Sequence, residues 1–265
     1  MLLMDAGVVP SRVDVALVCG GRFHDFDYAR VQLLIGLQQW PNVRTSVYTD
    51  YEFMIDRRDW QMVVSYTCDV RPSRSAEQAL VSYVSNGGRW IGLHGTNAAL
   101  ETPDIPGPVV TPNANPDFYA LLGSRFVAHP PVHEYLVSPT DISHPLTEGV
   151  EAFTVRDELY CSEMNPPVET LLATRFEGSC PSFAGEIPAG PDRPVLYLKH
   201  TGSGTVCYCT LGHCRGLVDT LELPHIEPSV DRGSWEEPMF RRIIERALAW
   251  GLTRPTGIVS NGSTS

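Results

Sequence analysis

The chain has 265 residues, 43% of them apolar and 19% charged, and a formal net charge of -11. That length and balance fit one large α/β domain better than two, with enough chain to bury a full core. The negative balance repels phosphate backbones and acidic lipid surfaces, which argues against nucleic acid or a membrane as partner, and no apolar run is long enough to span a bilayer.

Residues 13–19 read as a buried strand that ends in Gly20-Gly21. Residues 27–40 carry apolar side chains at helical spacing (Tyr28, Val31, Leu34, Leu37), and Pro41 stops them. Strands are predicted over 43–48 and 62–66. A helix over 74–85 closes at Asn86-Gly87-Gly88, and a short strand over 90–93 runs into His94-Gly95. Strands alternating with helices in this way predict a parallel sheet. Residues 101–116, rich in Pro and Asn, read as a long surface loop, and 116–122 as a helix. Strand signals then follow without long helices between them, at 135–137, 152–155, 170–173, 195–199 and 205–210, which predicts extra mixed or antiparallel strands at one side of the sheet. Residues 237–250 form an amphipathic helix. Residues 1–252 are read as a single domain and 253–265 as a polar tail.

The seven cysteines are odd in number and make no CxxC pair, so they read as reduced thiols of a cytoplasmic protein. Residues 1–10 carry Asp5 and lack a basic, then apolar, leader pattern, so no signal peptide is expected and the Asn261 sequon is read as accidental.

Ligands of open parallel sheets sit beyond the carboxyl ends of the strands. Three such ends carry a histidine beside glycine: Gly20-Gly21 with His24-Asp25, Gly92-Leu93-His94-Gly95, and Gly212-His213. Glycine allows a sharp turn and a close backbone approach. The His94 segment has the form of a nucleophile elbow, but imidazole suits proton transfer or metal ligation rather than a stable acyl-enzyme. Asp25 reads equally as a partner for His24 or as a helix cap. His129 and His133 are four apart, yet Pro130 and Pro131 exclude a shared helical face. His144-Pro145 reads as a turn. Asp157 and Glu158 follow a strand; neighbours on an extended chain point to opposite faces, so one of them reaches the site.

Six segments then fall in one order: Gly87-Gly88 through Gly92 to His94-Gly95; Asp117-Phe118-Tyr119 with Gly123; Phe126 with His129-Pro130; His144-Pro145-Leu146-Thr147 with Gly149; Asp157-Glu158-Leu159-Tyr160; and Gly202, Gly204, Tyr208 and Gly212-His213. Together they resemble the ThuA-like, or trehalose utilisation, family. The resemblance implies a fold like the class I glutamine amidotransferases: a flavodoxin-like, doubly wound, mostly parallel sheet with helices on both faces. It also implies a carbohydrate-processing role on oxidised sugars or disaccharides such as 3-keto-glycosides.

On that expectation His94 and His213 transfer protons and Glu158 orients one of them, by hydrolysis, elimination or isomerisation. His94, His213 and Glu158 also form a candidate site for a divalent metal such as zinc; no nucleotide cofactor is expected. Gly21 and Gly95 offer backbone amides to an oxyanion. His24, Asp25, His129 and Tyr160 contact the sugar, and Trp90 and Tyr119 are further candidates for its apolar face. The partners expected are a small sugar substrate and further copies of the chain in a homo-oligomer. Two other readings stand beside this one. The first is a non-catalytic sugar-binding or assembly module, in which the histidines would be scattered. The second is a cysteine hydrolase, for which Cys214 beside His213 is the candidate nucleophile.

Overall fold

The computed structural model describes residues 11–102, 107–221 and 228–253. The expectations for residues 1–10, for the tail beyond Thr253 and for Asn261 lie outside the described residues.

Strands β1 (Val13–Gly21), β2 (Val43–Tyr48), β3 (Met62–Cys68) and β4 (Arg89–Leu93) alternate with helices α1 (Phe26–Leu37), the single turn α2 (Phe53–Asp56) and α3 (Arg74–Ser85). After α4 (Pro116–Leu122) come β5 (Ser124–Ala128), β6 (His133–Pro139), β7 (Phe153–Asp157), β8 (Cys161–Met164), β9 (Glu169–Arg175), β10 (Asp192–Thr201) and β11 (Gly204–Cys209), and α5 (Pro238–Leu252) closes the described chain. Nine strands form one sheet in the order β2-β1-β3-β4-β11-β10-β9-β6-β7. The first five are parallel and the last four join by antiparallel pairings. The protein is therefore mixed α/β, with the later strands extending one side of a parallel sheet.

Period-two alternation divides the core. Val15, Leu17 and Cys19 of β1 pack with Met62, Val64 and Tyr66 of β3 and with α1 and α5. Ala16 and Val18 of β1 pack instead with Val63, Trp90 and helices α3 and α4. Strands covered on both faces read as continuous apolar runs, which is why β1 and β3 carry so few polar residues. Each fully buried Leu or Phe here stabilises the fold by about 2 kcal/mol.

Local signals set the helix ends. Asp25 caps α1 by accepting from the Tyr28 amide, and Ser73 caps α3 through the Ala76 amide. Pro116 opens α4, and Gly123, at φ +85°, ends it in the left-handed conformation.

The antiparallel pair β5–β8 was not expected from the sequence. β5 begins directly after Gly123, so no turn cluster separates it from α4. The 101–116 loop has structure of its own: Glu101 pairs with Val110, and Val109 with Phe183.

Candidate active site and metal-binding cluster

β4 ends at Leu93, and His94 takes φ +47° before a 3-10 turn over His94–Asn97. A non-glycine residue at this φ costs about 1–2 kcal/mol, and such outliers cluster at functional positions. The surroundings hold the turn. A Cβ at Gly92 would meet the Tyr208 ring at 2.7 Å, so only glycine lets that ring lie flat there. The Tyr208 hydroxyl then donates to the His94 carbonyl and accepts from the Asn97 amide.

His24, His94 and His213 follow the carboxyl ends of β1, β4 and β11, which are co-directional. Glu158 follows β7, the far edge of the sheet. Asp157 draws that edge back to the centre, so the sheet curls. Its buried carboxylate accepts from the amides of Gly212 at 3.0 Å, His213 at 3.2 Å and Ser234 at 3.1 Å, and from that of Glu158 at 2.7 Å. Of the two adjacent acids, Asp157 is the anchor and Glu158 faces the site.

One donor atom each from His24, His94, Glu158 and His213 lies within 4.8 Å of all the others, and all four residues are buried. His94 Nε2 is 2.9 Å from His24 Nε2, 3.3 Å from Glu158 Oε2 and 3.2 Å from the Tyr160 hydroxyl. His94 Nδ1 lies 2.8 Å from the Thr210 carbonyl, which only accepts, so the proton belongs on Nδ1 and Nε2 presents a lone pair. His24 Nδ1 lies 3.4 Å from the Arg22 carbonyl, and its Nε2 is within hydrogen-bond distance of the lone pair on His94 Nε2. Two imidazole nitrogens and a carboxylate oxygen thus converge. Donors around a tetrahedral ion with bonds of about 2.0–2.1 Å lie roughly 3.3 Å apart, so the spacing fits a cation.

His213 differs. Its Nε2 accepts from Arg215 Nη2 at 3.2 Å, and its Nδ1 is 3.2 Å from Glu158 Oε1 without an aligned hydrogen bond. In this state the Nδ1 proton faces the carboxylate and must leave before that nitrogen can bind an ion. His24 is therefore among the groups that could hold an ion, where the sequence reading had placed it against sugar hydroxyls.

The electrostatics follow from burial and pairing. Burial works to raise the Glu158 carboxyl, but the neighbouring His129 and His213 rings outweigh it and hold Glu158 well below the carboxylate range. Burial pushes His24 down to about 4, and burial likewise lowers His129. Burial also works to lower His213, but Glu158 prevails and raises it.

A pocket of about 450 Å3 opens on the cluster, with His24 and Glu158 in its wall. His129, Tyr160, Arg215 and Thr220 line it too. His129 Nε2 is 3.5 Å from Glu158 Oε1, and its Nδ1 is 2.7 Å from the Pro130 carbonyl. The Arg215 Nε and Thr220 Oγ1 atoms are buried with no hydrogen-bond partner among the described residues.

The other expected site residues lie elsewhere or serve the backbone. Asp25 caps α1 and pairs with Arg232 at 2.6 Å, so its second reading holds. A Cβ at Gly21, which sits at φ +121°, would lie 1.8 Å from the Cys68 carbonyl, and one at Gly95 would lie 2.8 Å from that of Thr67. Both glycines are required by close strand packing. Trp90 and Tyr119 are buried against α3 and α4 on the opposite face of the sheet, so neither meets a sugar in this pocket. His133 opens β6, and His144 caps its turn by accepting from Leu146. Arg215, Thr220 and Phe183 were not found from sequence, since no local spacing marks them.

A family model described as trehalose utilisation, ThuA, matches residues 45–224. The chain belongs to the ThuA family. A ThuA-like protein of Parabacteroides merdae superposes with TM-score 0.67 at 17% identity, covering 95% of this chain and 94% of that one. A ThuA-like protein of Bacteroides uniformis gives TM-score 0.61 at 17% identity, covering 94% and 95%. A β-galactosidase from Rahnella sp. R3 is similar over 93% of this chain but 32% of its own, with TM-score 0.53 and 13% identity. Likeness at these identities shows the fold alone. No curated protein matches the chain in sequence.

Cys68 lines the pocket, but it is buried, and burial raises its thiol well above the usual range. All seven cysteines are free and buried. Burial pushes the Cys214 thiol up to about 12, and it lies 3.1 Å from the Tyr66 hydroxyl, so it stays protonated at neutral pH. Among the described residues no helix is long and apolar enough to cross a membrane.

Proposed function

We propose that this ThuA protein is an enzyme acting on an oxidised sugar, a 3-keto-glycoside or its disaccharide, by acid–base chemistry beside the ketone. The observation that carries the reading is the convergence of three imidazoles and one carboxylate, two of which, His24 and Glu158, stand in the wall of a single pocket. A non-catalytic module needs no such cluster.

A ketone at C3 acidifies the C2 proton. Removing that proton allows loss of the C1 substituent or reprotonation as an isomer. His129 lines the pocket, is neutral near pH 7, and carries its Nδ1 proton toward Pro130, so its Nε2 is free to take the C2 proton. Glu158 then faces the imidazolium that forms. Arg215 and Thr220, with unspent polar atoms at the pocket, receive sugar oxygens. A divalent ion such as zinc, held by His24, His94 and Glu158 and completed by His213, would supply a Lewis acid for the ketone oxygen.

The strand order β2-β1-β3-β4-β11, with helices packed against both core clusters, supports a flavodoxin-like, doubly wound reading of the parallel half. Site residues come from both halves of the chain, which supports one domain over residues 1–252. Free, buried thiols support a cytoplasmic setting.

The test is metal analysis of the purified protein, then turnover of 3-keto-trehalose and related 3-keto-glycosides with and without chelator. Near-stoichiometric divalent metal with chelator-sensitive turnover is the expected result. No turnover of any keto-glycoside by the metal-loaded protein would overturn the reading, and so would full activity in a folded His94→Ala variant.

A further inference from the structure

The pocket joins a polar group to a largely apolar wall. His24, His129 and Arg215 surround Glu158 at 3.9, 3.5 and 3.3 Å, and all four line it. The rest of the lining is largely apolar and includes Phe126, Phe183, Leu100, Val109 and Val132. The Phe126 and Phe183 rings meet edge to face at 5.4 Å. This wall begins directly next to the chemistry: Phe183 packs on His129 at 4.8 Å, and Phe126 on Tyr160 at 4.4 Å.

The wall is built rather than incidental. The Val109 amide donates to the Ser182 carbonyl at 2.8 Å, and the Ala184 amide donates to the Val109 carbonyl at 2.9 Å. These bonds staple the strand-like segment around Val109 to the segment carrying Phe183, and Val110 is tied back to Glu101 by a pair of backbone hydrogen bonds. Two backbone segments distant in sequence are thus fastened together so that Val109 and Phe183 close one side of the pocket.

From this we infer that the group leaving C1 of the substrate is an apolar aglycone, aryl or alkyl, rather than a second sugar. The inference rests on the keto-glycoside reading and narrows its substrate class. With the oxidised ring at His129 and Glu158, the C1 substituent lies against Phe126 and Phe183. An aryl group meets those rings edge to face or offset and removes apolar surface from water. A second pyranose would press its hydroxyls against the same wall, where Thr102 and Ser182 add the remaining side-chain hydroxyls. Each buried hydroxyl left without a partner lowers affinity by about tenfold or more.

The experiment is isothermal titration of the metal-loaded protein with unoxidised ligands: methyl glucosides, phenyl glucosides of both anomers, and trehalose. Phenyl glucoside of one anomer is expected to bind at least tenfold more tightly than its methyl counterpart, and trehalose no more tightly than methyl glucoside. Phe183→Ala is expected to weaken phenyl glucoside about tenfold and methyl glucoside less than threefold. Val132→Thr, a gentler change to the same wall, is expected to move the ratio in the same direction. Trehalose binding as tightly as phenyl glucoside, equal losses for both ligands in Phe183→Ala, or no measurable glucoside binding would each overturn the inference. Turnover of methyl 3-keto-glucoside without any aglycone preference would overturn it and leave the proposed chemistry standing. Aglycone-dependent binding without turnover of any keto-glycoside would overturn the proposed chemistry and, with it, the assignment of a leaving group.

Discussion

The Nε2 atoms of His24 and His94 face each other across 2.9 Å, while the other nitrogen of each ring lies against a backbone carbonyl. A proton on one of the two nitrogens, or a cation in its place, must lie between them. The expected consequence is tight binding of one divalent ion. His24→Ala and His94→Ala should each weaken it by more than the roughly 10–100-fold that removal of an outer hydrogen-bond partner costs. His213→Ala should fall within that range, because its ligating nitrogen must first lose a proton. Competition titration against a fluorescent chelator reads all three.

Acid should loosen the metal-free protein before ordinary carboxylates titrate. His24 is held at about 4 in the fold against 6.5 in the unfolded chain. Its neutral form is the one the fold accepts, so this stabilisation is complete above pH 6.5 and is lost as pH falls toward 4. Between pH 7 and 5 it contributes about 2 kcal/mol. Chemical denaturation at both pH values should show that loss in the wild type and a smaller one in His24→Gln. An equal loss in both would remove His24 as its source.

Asp157→Asn should damage the fold more than its isosteric shape suggests. The carboxylate accepts from the amides of Gly212, His213, Ser234 and Glu158. An amide side chain sets its own N–H groups against some of these donors and removes the charge. The expected cost is about 3 kcal/mol, from hydrogen bonds to a charged group lost in a buried site. Thermal melting of the variant beside wild type measures it, and an unchanged melting temperature would mean the anchor is dispensable.

Iodoacetamide at pH 8 should leave the native thiols unmodified and label all seven cysteines after denaturation. Burial raises Cys19, Cys209 and Cys214 to about 12, and all seven are buried. Mass spectrometry of native and unfolded samples decides it. Rapid native labelling of Cys214 with loss of activity would restore the cysteine-hydrolase reading.

Much of this could be read from the chain because local rules decide it. Pro116 and Gly123 bracket α4 at the expected residues, and the apolar runs of β1 and β3 mark strands buried on both sides. His94, His213 and Glu158 were visible because each follows a strand beside a turn. What local rules do not decide was missed. Trp90 was a candidate for the sugar's apolar face, but residues 90 and 93 on β4 point to opposite faces, and Trp90 enters the far core. Arg215, Thr220 and Phe183 reach the pocket because the sheet curls and the Val109 segment is pinned across it, and neither event leaves a mark in nearby sequence. His24 was seen, but its place as a ligand depends on a 2.9 Å approach to a residue seventy positions away.

The curling of the sheet has a consequence for biogenesis. The four donors come from positions 24, 94, 158 and 213, and Asp157 must bond the Gly212 and His213 amides before Glu158 is in place. A nascent chain that has emerged through the turn after β4 carries His24 and His94 but neither Glu158 nor His213. The four-donor cluster is therefore complete only after the chain has emerged beyond β11, so no ion held by all four donors can template the folding of the N-terminal half.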